Sequence, residues 1–175
     1  MKLAAEHRFT SSCLEEVGQF LRVLSGLKRR ARLAEIGTGL GVGSAWILSG
    51  MDPESTLITV DLDKAQVSAV REMFSDLKNV EVVHGDWKQI IERGPFDFVF
   101  VDAKPAKTSE FELLISCVNH QGVIVLDDFT PTEFWPEQWQ GKPDLVREKW
   151  FHDARLLCTE VRTSARNSVL IARRI

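Results

Sequence analysis

Three glycines in alternation, Gly37, Gly39 and Gly41, stand between a short apolar run, Arg32 to Ile36, and a stretch of helical character that begins at Ser44. A buried strand that turns through glycines into a helix points to an α/β layer structure. Alternating glycines let the backbone turn with positive φ, and they let a ligand lie against the main chain without meeting a Cβ. The following helix directs its unpaired N–H groups at whatever occupies the turn. The segment predicts a cofactor loop.

The remainder of the chain extends the same pattern. Thr56 to Val60, Val80 to Val83, Phe96 to Val101 and Val123 to Leu126 read as strands, the last two almost wholly apolar, as strands covered on two faces should be. Between them lie apolar stripes at helical spacing: Leu14, Val17, Leu21 and Leu24; Val67, Val70, Phe74 and Leu77; Phe111, Leu114, Ile115 and Val118. Ser12 with Glu15 and Ser109 with Glu112 predict capping boxes, and Asp63 with Gln66 predicts a helix cap. Arg155 to Val161 and Ser168 to Arg173 predict a closing hairpin. The expectation is one domain over residues 1–175, a doubly wound, mostly parallel seven-stranded sheet with an antiparallel C-terminal hairpin.

Carboxylates stand where these strands end. Asp61 follows the second strand, at the position from which a carboxylate can accept both hydroxyls of a ribose. His84-Gly85-Asp86-Trp87 follows the third, Asp102 the fourth and Asp127-Asp128 the fifth. The spacing selects among cofactors. A dinucleotide fingerprint, G-x-G-x-x-G, would put its third glycine at Val42, and a phosphate-cradling G-x-x-x-x-G-K-[ST] is absent.

Glu35-Ile36-Gly37-Thr38-Gly39-Leu40-Gly41 instead resembles motif I of the class I methyltransferases that use S-adenosylmethionine. The resemblance implies a Rossmann-like fold in which Glu35, Gly37, Thr38, Gly39, Gly41 and Ser44 cradle the methionine end of that cofactor, with Asp61 and Leu62 at its ribose. It also implies Gly85, Asp86 and Trp87 beside the adenine, with Asp86 accepting from the exocyclic amine and Trp87 covering the ring. The residue pattern leaves a second reading of Asp86 open, as the cap of a helix running to Glu92.

Phe96-Asp97-Phe98-Val99-Phe100-Val101-Asp102-Ala103 resembles the fourth strand, F-D-x-V-F-x-D-A, of the cation-dependent O-methyltransferases of catechol and caffeoyl-coenzyme A type. What the resemblance implies is O-methylation of a small-molecule hydroxyl, with Asp102, Asp127 and Asp128 on one rim as ligands of Mg²⁺ or another divalent cation, and with a homodimer as partner. Asp102 would touch cofactor, metal and acceptor alike. Two departures accompany it. The family's Asp-Asn is Asp127-Asp128 here, and its catalytic lysine position holds Pro105, flanked by Lys104 and Lys107. These two lysines join Asp102 as candidate catalytic residues. The alternatives are a metal-free rim, an NAD-dependent oxidoreductase resting on Asp61, and a non-catalytic cofactor-binding relative, suggested by Pro105.

Thr130 to Trp150 carries Trp135, Trp139 and Trp150 among prolines and a glycine, and reads either as a mobile aromatic flap over the site or as a helix packed on the sheet edge or at a dimer contact. Hydrophobic content of 44%, charged content of 27% and a net charge of −3 suit a soluble globular protein without an electrostatic footprint for nucleic acid. Lys28-Arg29-Arg30 with Arg32 reads as a solvated helix end. Cys13, Cys117 and Cys158 are far apart and read as reduced, buried thiols, and His84 and His120 as turn residues. Early charge at Lys2 and Glu6, and the lack of a membrane-length apolar run, predict a cytoplasmic protein with no membrane partner. The resemblance also implies substrate-binding N-terminal helices, which look abbreviated because only the residues before Arg32 precede the first strand.

Overall fold

Seven strands, β1 (Arg32–Ile36), β2 (Thr56–Asp61), β3 (Val80–His84), β4 (Phe96–Val101), β5 (Val118–Phe129), β6 (Leu156–Arg162) and β7 (Ser168–Arg174), form one sheet in the order β3-β2-β1-β4-β5-β7-β6 in a computed structural model that describes residues 13–175. The first five are parallel, and β7 enters antiparallel between β5 and β6. The expected doubly wound sheet with a C-terminal hairpin is the fold that forms.

Alternation along β4 shows why a continuous apolar run was needed. Phe98 and Phe100 face a layer made by α1 (Glu15–Ser25) and α2 (Val42–Gly50), together with Val17, Leu21 and Ile47. Val99 and Val101 face the opposite layer, built from Trp87, Ile90, Phe111, Leu114, Ile115 and Trp150. That layer carries a 3₁₀ helix (Trp87–Arg93) and three α-helices, α4 (Lys104–Lys107), α5 (Phe111–Ser116) and α6 (Leu145–His152), and α3 (Lys64–Met73) packs Val67 and Val70 against Val82 of β3. Helices α1 and α2 approach closely because glycines stand at the crossing. A Cβ on Gly50 would lie 1.8 Å from the Arg22 carbonyl oxygen, and one on Gly18 would lie 2.2 Å from the Trp46 ring.

The sheet order reverses at β1, since β2 and β3 extend to one side and β4 and β5 to the other. At such a switch point the loops leaving the strand ends diverge and open a crevice. The glycine turn after β1 and the loop after β4 flank it.

Several local expectations are corrected. Ser12 of the first capping box lies outside the described residues, and α1 begins after Leu14 with no side-chain cap. The Ser109–Glu112 box does not form. The turn before α5 closes on the Pro105 carbonyl, which accepts from Thr108 and Glu110 N–H, and Glu110 rather than Ser109 takes the N-cap position. Leu77 falls beyond the end of α3 and is exposed, and Val118 opens β5 instead of continuing a helix. Asp63 does cap α3, accepting from the Ala65 and Gln66 N–H groups. Strand β5 is longer than Val123–Leu126, with a register shift on each side of that stretch. Lys28, Arg29 and Arg30 are exposed and pair with Asp97, Asp52 and Glu54. Cys117 is buried, whereas Cys13 and Cys158 are half-buried. Among the described residues no helix is long and apolar enough to cross a membrane.

Candidate functional site

The turn after β1 rests on a buried carboxylate. Glu35 is 1% exposed and accepts from the hydroxyls of Ser44 and, at 2.6 Å, Thr59. Because the single proton of Thr59 goes to Glu35, the 2.6 Å contact between Thr38 and Thr59 must have Thr38 donating. The chain Thr38, Thr59, Glu35 thus fixes the loop from below. Gly43 is required there, since a Cβ would lie 2.3 Å from Glu35 Oε1. Gly37, Gly39 and Gly41 all take positive φ, at 103°, 52° and 77°.

Burial pushes the Glu35 carboxyl up to about 7, against the hydrogen bonds that favour its charged form. A carboxyl raised in the folded state adds stability below its unfolded value of 4.5 and loses it as pH climbs through about 7. At about 1.4 kcal/mol per unit the shift corresponds to roughly 3 kcal/mol. Burial pushes Asp127 up to about 6 and Asp102 up to about 8, with the same sign. Carboxylates held low, such as Asp153 at about 2 beside Arg155, change their contribution only in more acid solution. The ligand-free protein should therefore melt at a lower temperature at about pH 8 than at about pH 5, and Glu35→Gln should flatten that dependence in a thermal scan.

Asp61 ends β2 across the turn. Its Oδ2 accepts from Gly39 N–H at 2.9 Å and its Oδ1 from Asp63 N–H at 2.9 Å, which aims the carboxylate and leaves each oxygen a further lone pair toward the crevice. A cavity of about 210 Å³ lies here, lined by Glu35, Gly37, Thr38, Gly39, Asp61 and Asp102 among the expected residues. Cys13, Leu40, Gln66, Phe100 and Asp128 complete much of its wall.

The other expected members stand apart from that lining. Gly41 caps α2, and Ser44 is spent on Glu35. Leu62 is 73% exposed beside Asp61. Gly85 takes a φ of 150°, and a Cβ there would meet the Gln89 amide at 2.6 Å. Asp86 caps the 3₁₀ helix by accepting from Lys88 N–H, and it pairs with the Lys88 ammonium. Trp87 corrects the ring-covering expectation, because its ring is core and its indole N–H donates to Glu110 at 2.6 Å. His84 and His120 are both exposed.

The carboxylates of Asp102, Asp127 and Asp128 come together, with one oxygen from each within 4.8 Å of the others. Local backbone explains the convergence. β5 slips register between Leu126 and Phe129, and Asp128 takes a left-handed φ of 60°, a region that aspartate tolerates. Lys107 stands among them. Its ammonium donates to the Asp127 carbonyl at 2.8 Å and lies 3.8 Å from Asp102 Oδ1 and 3.9 Å from Asp128 Oδ2. Lys104, by contrast, is exposed. Oxygen donors of this kind suit Mg²⁺, but the Lys107 ammonium already faces two of the three, so the trio as arranged does not fit a divalent ion.

A second cavity, of about 600 Å³, opens on the other side of Asp102 and Asp128. Trp135 and Trp139, edge to face at 6.1 Å, form its wall with Phe129, Lys104, Lys107, Lys142 and Arg147. Residues 130–150 fall into two halves. The first half is two 3₁₀ turns carrying these tryptophans, whereas Trp150 on α6 is fully buried, meets Phe111 edge to face at 4.7 Å and donates to the Lys107 carbonyl at 2.9 Å. Arg147 binds Asp144, Glu160 and the Thr130 carbonyl.

Thr59, Phe100 and Arg147 were not singled out by sequence. Thr59 had a signal, a hydroxyl inside an apolar strand. The roles of Phe100 and Arg147 depend on contacts with elements remote in sequence.

Known proteins share this fold. A Mycobacterium tuberculosis protein named Probable O-methyltransferase is 29% identical over 118 residues, which are 63% of this chain and 53% of that protein, so the chain spans about half the length of the curated relatives it matches. The crystal structure of a Bacillus cereus O-methyltransferase in complex with SAH superposes with a TM-score of 0.81 at 22% identity, over 99% of this chain and 87% of that one. An O-methyltransferase from Streptomyces achromogenes involved in tomaymycin synthesis, in complex with SAM, gives 0.80 at 21% identity over 99% and 86%. These two likenesses describe the fold. Residues 34–129, from the strand beneath the glycine turn to the end of β5, match the methyltransferase-domain family, and the chain belongs to it.

Proposed function

We propose that the protein transfers the methyl group of S-adenosylmethionine to a hydroxyl oxygen of a small-molecule acceptor. The observation that carries this reading is that the glycine-loop cavity and the tryptophan-walled cavity share Asp102 and Asp128. A donor in the first and an acceptor in the second would meet at those side chains. The dinucleotide alternative keeps only Asp61 in its support.

In this reading Asp61 accepts the ribose hydroxyls and the turn at Gly37 to Gly39 lies along the methionine end. When bound, the cofactor would supply a sulfonium methyl group, whose carbon passes in line to an aligned oxygen as the carbon–sulfur bond breaks and the thioether leaves. Asp102 takes the hydroxyl proton. Burial and the neighbouring Asp128 push its carboxyl up to about 8, nearer to a phenol at roughly 10 than an ordinary carboxylate is. Lys107 presents a fixed positive charge to the developing oxyanion. Trp135 and Trp139 offer flat apolar faces that orient an acceptor and exclude water. Lys104, at the rim of the same cavity, is left with acceptor contact.

Calorimetry with S-adenosylhomocysteine, followed by a labelled-methyl screen of hydroxyl and amine acceptors, tests the reading. Expected are micromolar binding, label on hydroxyl acceptors, and a rate that rises with pH through about 8 as Asp102 loses its proton. Binding of NADH with none of S-adenosylhomocysteine would overturn it.

A further inference from the structure

We infer that Lys107 is the resident cation of the carboxylate rim, holding the position that a divalent ion would otherwise take, so that the site works without metal. The inference deepens the methyl-transfer reading and rests on it for the identity of the acceptor site. The placement of Lys107 stands on its own.

Three observations carry it. The ammonium faces Asp102 Oδ1 at 3.8 Å and Asp128 Oδ2 at 3.9 Å, two of the oxygens an ion would need. It is held there, because it donates to the Asp127 carbonyl at 2.8 Å and its side chain is only 9% exposed. The backbone beneath it is held as well, since the Lys107 carbonyl accepts from Trp150 Nε1 at 2.9 Å and that tryptophan is fully buried. A lysine withdrawn from the rim would give up a buried hydrogen bond and leave three carboxylates facing one another. An incoming divalent ion would meet a positive charge where it needs a vacancy. The chain has thus built its counter-charge covalently, as a compact ammonium with three donors.

Mn²⁺ binding to the ligand-free full chain tests this, read by electron paramagnetic resonance of the free ion and by thermal shift, with wild type and Lys107→Met compared. Wild type is expected to bind no Mn²⁺ below millimolar concentration, and Lys107→Met to gain a single site with affinity at least about tenfold higher. Stoichiometric micromolar binding by wild type overturns the inference, and so does a folded Lys107→Met that binds no better than wild type. Should Lys107→Met fail to fold, Lys107→Gln, whose amide can still donate to the Asp127 carbonyl, takes its place. None of these readouts needs a cofactor or an acceptor, so failure here is separable from failure of the methyl-transfer reading, which the S-adenosylhomocysteine titration reports.

Discussion

Asp61→Ala is expected to weaken S-adenosylhomocysteine binding by about a hundredfold to ten-thousandfold, while leaving the protein folded. Two hydrogen bonds from ribose hydroxyls to a charged acceptor are worth about 1.5–3 kcal/mol each, and both vanish together. The Gly39 N–H now bound at 2.9 Å is released at the same time, so the turn loses the anchor that shapes it. Asp61→Asn separates the effects, because its amide oxygen can still accept from Gly39 while its NH₂ cannot accept from a hydroxyl. Calorimetry should rank wild type above Asn, and Asn above Ala, with circular dichroism unchanged. Affinity within about twofold of wild type for the alanine variant would remove Asp61 from the cofactor site.

Gly50→Ala should produce the largest loss of stability. Its Cβ would stand 1.8 Å from the Arg22 carbonyl oxygen and 2.8 Å from the Arg22 Cα, so the conflict is with backbone and no rotamer relieves it. Overpacking costs typically about 1–3 kcal/mol, and a clash that forces a pair of helices apart belongs at the upper end. For a chain of this size that is a fall in melting temperature of about 6–12 °C. Gly141→Ala is the control. There the φ of 72° strains an alanine, but nothing lies within 4 Å of the new carbon, so only the backbone cost of about 1–2 kcal/mol applies. Equal losses at the two positions would mean that α1 and α2 are not packed through Gly50.

Particular residues show what could be read in advance. β1, β2 and β4 were legible because a strand buried on both faces is mostly apolar, and glycine or charge marks its ends. Glu35, Asp61, Asp102 and the Asp127-Asp128 pair were legible for a related reason. In a parallel sheet the carboxyl ends of the strands share one rim, so chain position alone brings these groups close. Position alone failed at Trp87. Standing directly after Gly85-Asp86 says nothing of which way the first residue of a helical turn faces, and Glu110 draws its indole into the core. Lys104 and Lys107 could not be ranked from sequence either. They are one short helix apart, and the buried Trp150, forty-three residues on, grips the backbone of Lys107. The bulge that leaves Asp127 buried and Asp128 exposed on the rim likewise comes from the pairing of β5 with β7, a partner late in the chain.

The walls of the two cavities come from different lengths of chain. Residues that line the glycine-loop cavity lie mainly between Glu35 and Phe100, whereas the aromatic wall of the larger cavity belongs to a single stretch from Phe129 to Arg147. That stretch is fastened at its far end by Arg147 and Trp150, and the side chains facing the cavity at Trp135, Trp139 and Lys142 lie between the fastenings. Inheritance can therefore act on them separately. A descendant that exchanges those three residues keeps its sheet, its turn and its carboxylates, and meets a different molecule across an unchanged rim. Divergence within such a lineage would be read in this short interval, with the strand ends standing still.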